Sequence, residues 1–339
     1  MRGVVFPEAR QVAVREFPDP EPGPGEIVVR VRMAAICGSD LHWYREFVPG
    51  RTGPDIIVGH ESVGEVAAVG SGVFTPRVGD RVALYHISGC GECPACRARR
   101  PKECWNGIER IPQGADADYQ RMKWWNALPL PDEFSWEEGT VLACNYGTGY
   151  GALKRGDVSA RSTLAVFGLG PVGLCTVQAG RALGARVIAV DVVPERLDLA
   201  RQMGANETVN GSEQDVVAAL RDLAGGRGVD TAIDTSGNAI AQTNALDAAR
   251  PRGTIVFVGI KPEATVAINV FEQAVLKQLT VAGSWIYDID EWPEMLAFVQ
   301  QHQLPVRSIT GPTYSLDDAP EAFAEAIAGK SGKIILAVS

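Results

Sequence analysis

The chain has 339 residues, of which 46% are hydrophobic and 22% charged, and a formal net charge of −9. This length predicts two domains, because a single hydrophobic core rarely grows so large. The composition is that of a globular protein. The negative charge argues against a nucleic-acid-binding surface, which would need clustered Lys and Arg.

The N-terminal sequence MRGVVFPEARQVAVREF has neither the apolar core nor the cleavage site of a signal peptide. We therefore expect a cytoplasmic protein with reduced cysteines, in which metal binding is favoured over disulfides. One uncharged run, 162–180, is long enough to span a membrane. It contains four Gly and one Pro, so a buried strand leading into a helix explains it better, and no membrane contact is expected.

The first part of the chain, up to about residue 145, is rich in Val, Gly and Pro. Short alternating runs at 26–36 and 62–73 predict strands that are separated by turns. This pattern is typical of an irregular, mostly antiparallel β domain.

The pattern changes near residue 160 to an alternation of strands and helices. Alternation at this spacing predicts a parallel, doubly wound sheet. The predicted strands are 163–170, 186–191, 229–237 and 253–260, and the predicted helices are 171–185, 194–205 and 239–250. Two more helices, 291–303 and 317–329, and a last strand, 333–338, follow.

A glycine-rich turn joins the first of these strands to its helix. Its sequence, Gly168-Leu-Gly170-Pro171-Val172-Gly173, is a G-x-G-x-x-G motif. Gly168 permits the tight turn, Gly170 lets the backbone approach a pyrophosphate, and Gly173 lets helix and strand pack closely. The free amides and the dipole of the helix N-terminus then favour phosphate. The segment therefore predicts a dinucleotide site, although an ordinary strand–helix turn has similar glycines.

An acidic residue follows at the distance that such a site requires. Asp191 ends the second strand, where a carboxylate accepts hydrogen bonds from the adenosine ribose. Its charge would repel a 2′-phosphate, so NAD is preferred over NADP. Arg196, one turn into the next helix, would tolerate a phosphate. The alternative is that Asp191 only caps the next turn.

Four of the seven cysteines form a compact motif. Cys90, Cys93, Cys96 and Cys104 have the spacing C-x2-C-x2-C-x7-C, which lets four thiolates surround one tetrahedral zinc ion. Such a closed site has a structural role. An iron–sulfur cluster uses similar spacing, and a disulfide pair is a further alternative.

The other candidate ligands are dispersed along the chain. Cys37 lies in CGSDLH, His60 in GHE and Cys144 in ACNYGTG. Three ligands with an open fourth position would suit a catalytic zinc ion, but the spacing alone leaves Cys37 and Cys144 equally well explained as buried core residues. Cys175, inside the first helix of the alternating region, is interpreted as core.

Several motifs together resemble one enzyme family. The run GHESVGEVAAVGSGV fits the pattern GHE-x2-G-x5-G-x2-V, and it is accompanied by VGDRV at 78–82, the four-cysteine motif and VFGLGPVGL. In this combination and order the chain is similar to the zinc-dependent medium-chain alcohol dehydrogenases over nearly its whole length.

The resemblance assigns roles around the catalytic zinc ion. Its ligands would be Cys37, His60 and Cys144, a Cys2His set that is already known for alcohol dehydrogenases and is not a deduction from spacing. Asp40 matches the carboxylate that orients the ligating histidine. Glu61 matches the acidic neighbour that approaches the metal during ligand exchange.

Other positions are assigned to proton transfer and cofactor binding. The resemblance gives a proton relay to Ser39 and His42, the nicotinamide contact to Thr148, a cation near the pyrophosphate to Lys333, and further cofactor contacts to Ser236 and Gly259. Structural alternatives exist, since Ser39 and Asp40 suit a helix N-cap, and His42 and Lys333 would be ordinary on a solvated surface.

The family implies a two-domain architecture. We expect a GroES-like, mostly antiparallel β catalytic domain at 1–146 with the structural zinc lobe at 88–106, a Rossmann domain at 147–284, and a return of 285–339 to the first domain. Two zinc ions per subunit, NAD, a small-molecule alcohol or carbonyl substrate, and a homodimer or homotetramer are expected with it.

The substrate is expected to be a secondary alcohol, including a polyol-like one. His86, four residues before Cys90, would add a hydrogen-bonding group to the pocket and so favour a second hydroxyl or an amine, unless it points elsewhere. Cys144 instead resembles the simple-alcohol and formaldehyde enzymes, because polyol and threonine-type members commonly carry glutamate there. A zinc-free enone or quinone reductase and a non-catalytic dinucleotide sensor are further alternatives.

Overall fold

The computed structural model describes residues 1–110, 114–261 and 263–338. The strands in these residues are β1 (Arg2–Phe6), β2 (Ala13–Glu16), β3 (Glu26–Ala35), β4 (Gly53–Ile57), β5 (Ser62–Val69), β6 (Arg81–Leu84), β7 (Ile87–Ser88), β8 (Glu109–Arg110), β9 (Tyr119–Lys123), β10 (Ala127–Pro129), β11 (Thr163–Phe167), β12 (Arg186–Asp191), β13 (Glu207–Asn210), β14 (Val229–Asp234), β15 (Ala249–Phe257), β16 (Thr280–Gly283), β17 (Thr310–Ser315) and β18 (Lys333–Ala337). The α-helices are α1 (Gly38–Arg45), α2 (Pro94–Arg97), α3 (Trp136–Val141), α4 (Gly147–Arg155), α5 (Pro171–Ala182), α6 (Pro194–Gln202), α7 (Val216–Leu223), α8 (Ala239–Ala248), α9 (Glu291–Gln301) and α10 (Ala319–Ala328).

The chain divides into two compact units. The first unit comprises Met1–Cys144, Asp288–Trp292 and Thr310–Ser339. Its largest sheet has the order β10-β6-β5-β3-β18-β17, with β9 also pairing with β3. All of these pairs are antiparallel except β17 with β18. The mostly antiparallel β domain that the sequence predicts is thus confirmed.

The register of this sheet determines what lies near the predicted catalytic ligands. The end of β3 pairs with the start of β5, where Ala34 faces Ser62, and the N–H of Ala35 donates to the carbonyl of Glu61 at 2.8 Å. The neighbour of β3 on its other side is β18, and just beyond the end of β3 the N–H of Ile36 donates to the carbonyl of Ile334 at 3.1 Å. Residues just after β3, just before β5 and at the start of β18 are therefore neighbours.

The second unit comprises Asn145–Tyr287 and Pro293–Ile309. Its six strands are all parallel, in the order β13-β12-β11-β14-β15-β16. The chain enters the sheet at β11 and adds β12 and β13 on one side, and then returns to add β14, β15 and β16 on the other side. The strand order therefore reverses between β11 and β14, and the carboxyl ends of these two strands form the switch point where such folds bind ligands. The mostly buried, largely apolar strands β11 and β12 are those of a sheet that is covered on both faces. This confirms the predicted doubly wound sheet.

The second unit includes a segment that the sequence interpretation assigns to the first domain. Residues 293–309 belong to the second unit, whereas 285–339 was expected to return as a whole. The hydroxyl of Tyr150 donates to Glu294 at 2.8 Å, and the side-chain amide of Gln178 donates to the carbonyl of Pro305 at 3.3 Å. Helix periodicity predicts the apolar face of α9 but does not indicate which unit covers it.

The described residues contain no helix that is both long and apolar enough to cross a membrane. The uncharged run at 162–180 forms β11, the glycine-rich turn and most of α5, as the sequence predicts.

Candidate functional site

Four cysteine sulfurs converge in a loop region of the first unit. Those of Cys90, Cys93, Cys96 and Cys104 all lie within 4.8 Å of one another, and two of the pairs are 4.0 Å apart. Zinc–sulfur bonds of about 2.3 Å in a tetrahedron place the sulfurs roughly 3.8 Å apart, whereas disulfide sulfurs are separated by about 2.05 Å. The set therefore fits one metal ion rather than a disulfide.

The backbone around this cluster supports anionic sulfur. The N–H of Cys93 donates to Cys90 Sγ at 3.4 Å, and the N–H of Cys90 donates to Cys104 Sγ at 3.3 Å. Hydrogen bonds from the backbone of Glu92 and Cys93 lower the pKa of Cys90 to about 6. A Cβ at residue 89 would lie 2.4 Å from Cys96 Sγ, so the turn needs Gly89 there.

A second set of ligand atoms also converges within the first unit. Atoms of Cys37, His60, Glu61 and Cys144 lie within 4.8 Å of one another. Cys37 follows β3 as the N-cap of α1, and His60 precedes β5, so the register of the sheet brings them together. Cys144 lies in a π-helical segment, Leu142–Tyr146, that joins α3 to α4. Such widened turns are frequent at functional sites.

The histidine of this cluster is held by a buried carboxylate. His60 Nδ1 donates to Asp40 Oδ1 at 2.9 Å, and the N–H of Cys37 donates to Asp40 Oδ2 at 2.8 Å. Asp40 thus fixes the ring orientation and the tautomer, leaving Nε2 for a metal. Ser39 Oγ lies 3.4 Å from that Nε2. His42 is one helical turn further along α1, on the same face as Ser39.

The two thiols of this cluster influence each other. The neighbouring Cys144 thiol lowers the pKa of Cys37 well below its usual value, while the same contact and burial raise the pKa of Cys144. A divalent cation would displace the protons of both sulfurs, because cysteine binds metals as thiolate.

Glu61 and Lys333 form a buried ion pair beside this cluster. The Lys333 Nζ contacts Glu61 Oε2, and both side chains are 0% exposed. Burial raises the pKa of Glu61 to about 7, against the effect of Lys333. Lys333 is therefore not on a solvated surface, which was the alternative interpretation of the sequence. Its contact with a cofactor stays a prediction.

One buried carboxyl near the cluster was not anticipated from the sequence. Asp116 is 0% exposed, and neither of its oxygens has a hydrogen-bond partner among the described residues. It fills the space over Gly59, where φ is +84° and a Cβ would lie 2.1 Å from Asp116 Oδ1. Burial, and then the charge of Asp40, raise the pKa of Asp116 well above its usual range. No motif indicates this residue.

Two rings lie beside the ligating histidine. The ring centroid of His86 is 4.9 Å from that of His60, and the ring centroid of Trp43 is 6.0 Å away. His86 thus lies next to His60, and its contact with a substrate stays a prediction.

The glycine-rich turn in the second unit has the geometry that its motif predicts. Gly168 has a φ of +84°, and a Cβ on Gly173 would lie 1.9 Å from the carbonyl oxygen of Gly168. A Cβ on Gly170 would meet nothing within 4 Å, so this position leaves the backbone accessible. Pro171 and Val172 begin α5, at whose N-terminus the turn ends.

Asp191 holds the turns at the carboxyl ends of β11 and β12. Its Oδ2 accepts from the N–H of Leu169 at 2.6 Å, and its Oδ1 from the N–H groups of Val192 and Val193 at 2.7 and 3.0 Å. Arg196 Nη1 lies 3.8 Å from Oδ2. Asp191 therefore caps these turns, as the alternative interpretation of the sequence predicts. Its carboxylate oxygens still have lone pairs that could accept hydrogen bonds from a ribose.

The other predicted cofactor positions also belong to the second unit. Ser236 lies against Gly168, and its hydroxyl donates to Asp234 at 2.5 Å. A Cβ on Gly259 would lie 1.9 Å from the N–H nitrogen of residue 237, so the loops after β11, β14 and β15 pack against one another. Thr148 is buried in α4, and its hydroxyl has no hydrogen-bond partner among the residues the structure describes.

Comparison with known proteins gives a consistent result. Residues 23–132 match the family described as alcohol dehydrogenase GroES-like domain, and residues 171–301 match zinc-binding dehydrogenase. The chain is 33% identical to sorbitol dehydrogenase of Bacillus subtilis, covering 98% of this chain and 95% of that protein. It is 34% identical to L-threonine 3-dehydrogenase of Deinococcus deserti, covering 94% and 93%. Among solved structures it is similar to alcohol dehydrogenase TADH from Thermus sp. ATN1, with a TM-score of 0.92, 30% identity and full coverage of both chains.

Proposed function

The chain belongs to the zinc-dependent medium-chain alcohol dehydrogenase family, and on that premise we propose that it oxidises a secondary alcohol, including polyol-like ones, reversibly to the carbonyl compound with NAD as hydride acceptor. The observation that carries this proposal is the convergence of Cys37, His60 and Cys144 with His86 beside them. The first three are ligands for zinc, and the fourth is a polar group next to the position where a substrate would approach.

The two clusters would hold two zinc ions with different roles. Cys90, Cys93, Cys96 and Cys104 provide four thiolates and no open position, which suits a structural ion. The Cys37–His60–Cys144 set provides three ligands, and zinc bound there supplies a Lewis acid that stabilises negative charge on the alcohol oxygen.

The chain's own side chains then position groups and move the proton. Asp40 accepts from His60 Nδ1 and keeps the ring oriented, with Nε2 toward the proposed metal position. Ser39, whose Oγ is 3.4 Å from His60 Nε2, is placed to accept the alcohol proton, and His42 on the next turn of α1 is placed to pass it toward solvent.

The second unit would bind NAD. The pyrophosphate would lie on the α5 N-terminus above Gly170, and the adenosine ribose on Asp191. Because Asp191 is buried and anionic, a 2′-phosphate would be repelled, which favours NAD over NADP. Thr148 is proposed to pack on the nicotinamide ring, and Ser236 and Gly259 to line the remainder of the cofactor site.

His86 supports the choice of substrate. A second hydroxyl or an amine on the carbon next to the reacting alcohol would offer a group with which the half-buried His86 can form a hydrogen bond, whereas a simple primary alcohol has no such group. Sorbitol dehydrogenase and L-threonine 3-dehydrogenase, to which the chain is similar, are named for substrates with such neighbouring groups.

The test is a substrate panel that follows NADH absorbance at 340 nm. We expect the highest kcat/KM for vicinal diols or amino alcohols, a preference for NAD over NADP of at least about tenfold, and loss of activity after chelation that added zinc restores. Best activity with simple primary alcohols or with formaldehyde adducts would favour the primary-alcohol alternative. Turnover of enones or quinones by zinc-free protein would favour a zinc-free reductase. Binding of NAD without turnover of any alcohol or carbonyl compound would favour the non-catalytic dinucleotide sensor.

We also propose that two copies associate through the edge of the parallel sheet. β16 is the last strand of that sheet, and exposed apolar side chains lie on it and on the preceding segment: Ile268, Val270, Phe271, Val275, Leu276 and Val281. An unpaired strand edge with an apolar flank is a pairing site. A second β16 related by a two-fold axis would run antiparallel to it and continue the sheet.

The association is tested by changing this surface. We expect Phe271→Glu with Val281→Lys to halve the mass measured by light scattering, from that of a dimer to a monomer or, if the wild type is a tetramer built from two such dimers, from a tetramer to a dimer. Phe74→Glu changes an even more exposed phenylalanine in the first unit and should leave the mass unchanged. A wild-type monomer, or an unchanged mass in the double variant, would contradict the proposal.

A further inference from the structure

Asp234 is a buried carboxylate at the switch point of the parallel sheet. It ends β14 and is 0% exposed, and a buried charge costs free energy unless hydrogen bonds compensate for it. Its Oδ1 accepts from the N–H and the hydroxyl of Ser236 at 3.0 and 2.5 Å. Its Oδ2 accepts from the N–H of Gly237 at 3.1 Å and from the side-chain amide of Gln242 at 3.0 Å. Because all four groups donate, both oxygens act as acceptors, as in an ionised carboxylate.

The same residue holds two of the loops at this end of the sheet. Three of the four donors belong to Ser236 and Gly237, in the loop that follows β14. The main-chain carbonyl of Asp234 accepts from the N–H groups of Val258 and Gly259 at 2.8 and 3.0 Å, just after β15. Asp234 therefore fixes the loop after β14 through its side chain and the loop after β15 through its main chain.

The loop after β14 in turn contacts the glycine-rich turn. The hydroxyl of Thr235 donates to the carbonyl oxygen of Gly168 at 2.7 Å. Ser236 packs so closely on the turn that a Cβ on Gly168 would lie 2.9 Å from its main-chain nitrogen, and a Cβ on Gly173 would lie 3.0 Å from the Thr235 hydroxyl. A shift of this loop would therefore also shift the turn that leads into α5.

We propose that Asp234 is a positioning residue for the cofactor, which holds the glycine-rich turn in the conformation that receives the pyrophosphate. It acts through Thr235 and Ser236 and not by contact with the cofactor. A turn that is already ordered binds more tightly, because association does not have to order it. The inference rests on the proposed function, since it presupposes that NAD binds at this turn.

The test is the affinity of Asp234→Asn for NADH, measured by the fluorescence of the bound cofactor. Asparagine has the size of aspartate, but it presents an NH2 group to two of the four donors, which then lose their acceptor. We expect the Kd for NADH to rise about tenfold, as for the loss of one or two such hydrogen bonds. The KM for NAD should rise with it, while kcat at saturating NAD stays within about threefold of wild type, because no group of the metal cluster changes.

Asp230→Asn is the matched control on the same strand. Asp230 lies near the other end of β14, where it accepts from the N–H of Thr163 at 2.7 Å and from Arg250 Nε at 2.5 Å. We expect both variants to lower the unfolding temperature by roughly 5 °C. Asp230→Asn should nevertheless keep the Kd for NADH within about twofold of wild type. A merely structural role of Asp234 would not produce this difference in affinity between two variants of similar stability.

A second variant tests the contact through which Asp234 acts. Thr235→Val is close to threonine in shape but removes the hydrogen bond to Gly168, and we expect it to raise the Kd for NADH about three- to tenfold. In combination with Asp234→Asn it should add little, because both changes act on the same turn. Thr235→Val also tests the inference if Asp234→Asn is insoluble.

Three results would overturn the inference. The first is an unchanged Kd for NADH in Asp234→Asn or in Thr235→Val. The second is an equal loss of affinity in Asp230→Asn, and the third is a double variant in which the two fold-changes multiply. A wild-type protein that binds NADH but oxidises no alcohol would contradict the proposed function and not this inference, whereas a wild-type protein that binds no NADH would contradict both.

Discussion

Replacing Cys144 with alanine is expected to lower the zinc content from two ions per subunit to one and kcat/KM by at least about 10³-fold. Only two strong ligands, Cys37 and His60, would remain for the catalytic ion. Loss of an interaction worth several kcal/mol in the transition state corresponds to a rate loss of this size. Zinc is counted by atomic emission on dialysed protein, and activity is followed with the best alcohol from the panel.

Cys175 provides the matched control for this experiment. It is as deeply buried as Cys144 but lies within α5 of the second unit, away from any predicted ligand set. Cys175→Ala should cost about 1 kcal/mol or slightly more in unfolding free energy and should keep both zinc ions and the activity. A Cys144→Ala protein with two zinc ions and normal turnover would show that Cys144 is not a catalytic ligand.

The parts of the fold that the sequence predicts are those with a strong local pattern. The runs of β11, β12 and β14 are buried, and α5 is a 12-residue, largely buried helix, so their patterns are clear. Two elements between β12 and β14 were not predicted, β13 (Glu207–Asn210) and α7 (Val216–Leu223). The first is four residues long and polar at both ends, so its place in the sheet depends on pairing with β12 rather than on its own pattern.

The unit boundaries also depend on long-range contacts. The chain crosses between units around α9, and no local feature of residues 285–309 indicates where. The contacts of Glu294 with Tyr150 and Lys154 join residues far apart in the sequence. Such pairs have no signature in a single sequence.

The candidate site divides in the same way. Motifs and resemblance indicate Cys37, His60, Cys144 and Asp40, and the structure brings these residues together. The buried carboxyl group of Asp116 belongs to no motif, and its relation to Gly59 is visible only in three dimensions. The pairing of Glu61 with Lys333 likewise exists because β3 lies between β5 and β18.

The four-cysteine cluster should affect stability rather than chemistry. Replacing Cys96 with alanine is expected to remove the structural zinc ion and lower the unfolding temperature by about 10 °C, because loss of a metal is among the few single changes that cost more than about 4 kcal/mol. In residues 89–104 the buried residues are Cys93, Ala95 and Pro101, a set too small to form a core, so the metal would take its place. Turnover per catalytic zinc ion, measured well below the unfolding temperature, should stay close to wild type, since a closed four-sulfur site offers no position to a substrate. Ser88→Ala is the control at the first residue of the lobe: it removes a buried hydrogen bond to Asn126 of 3.0 Å but no ligand, and should cost only about 1 kcal/mol. Retention of two zinc ions by Cys96→Ala, or a fall in its turnover as large as that of Cys144→Ala, would mean that the two clusters do not have separate roles.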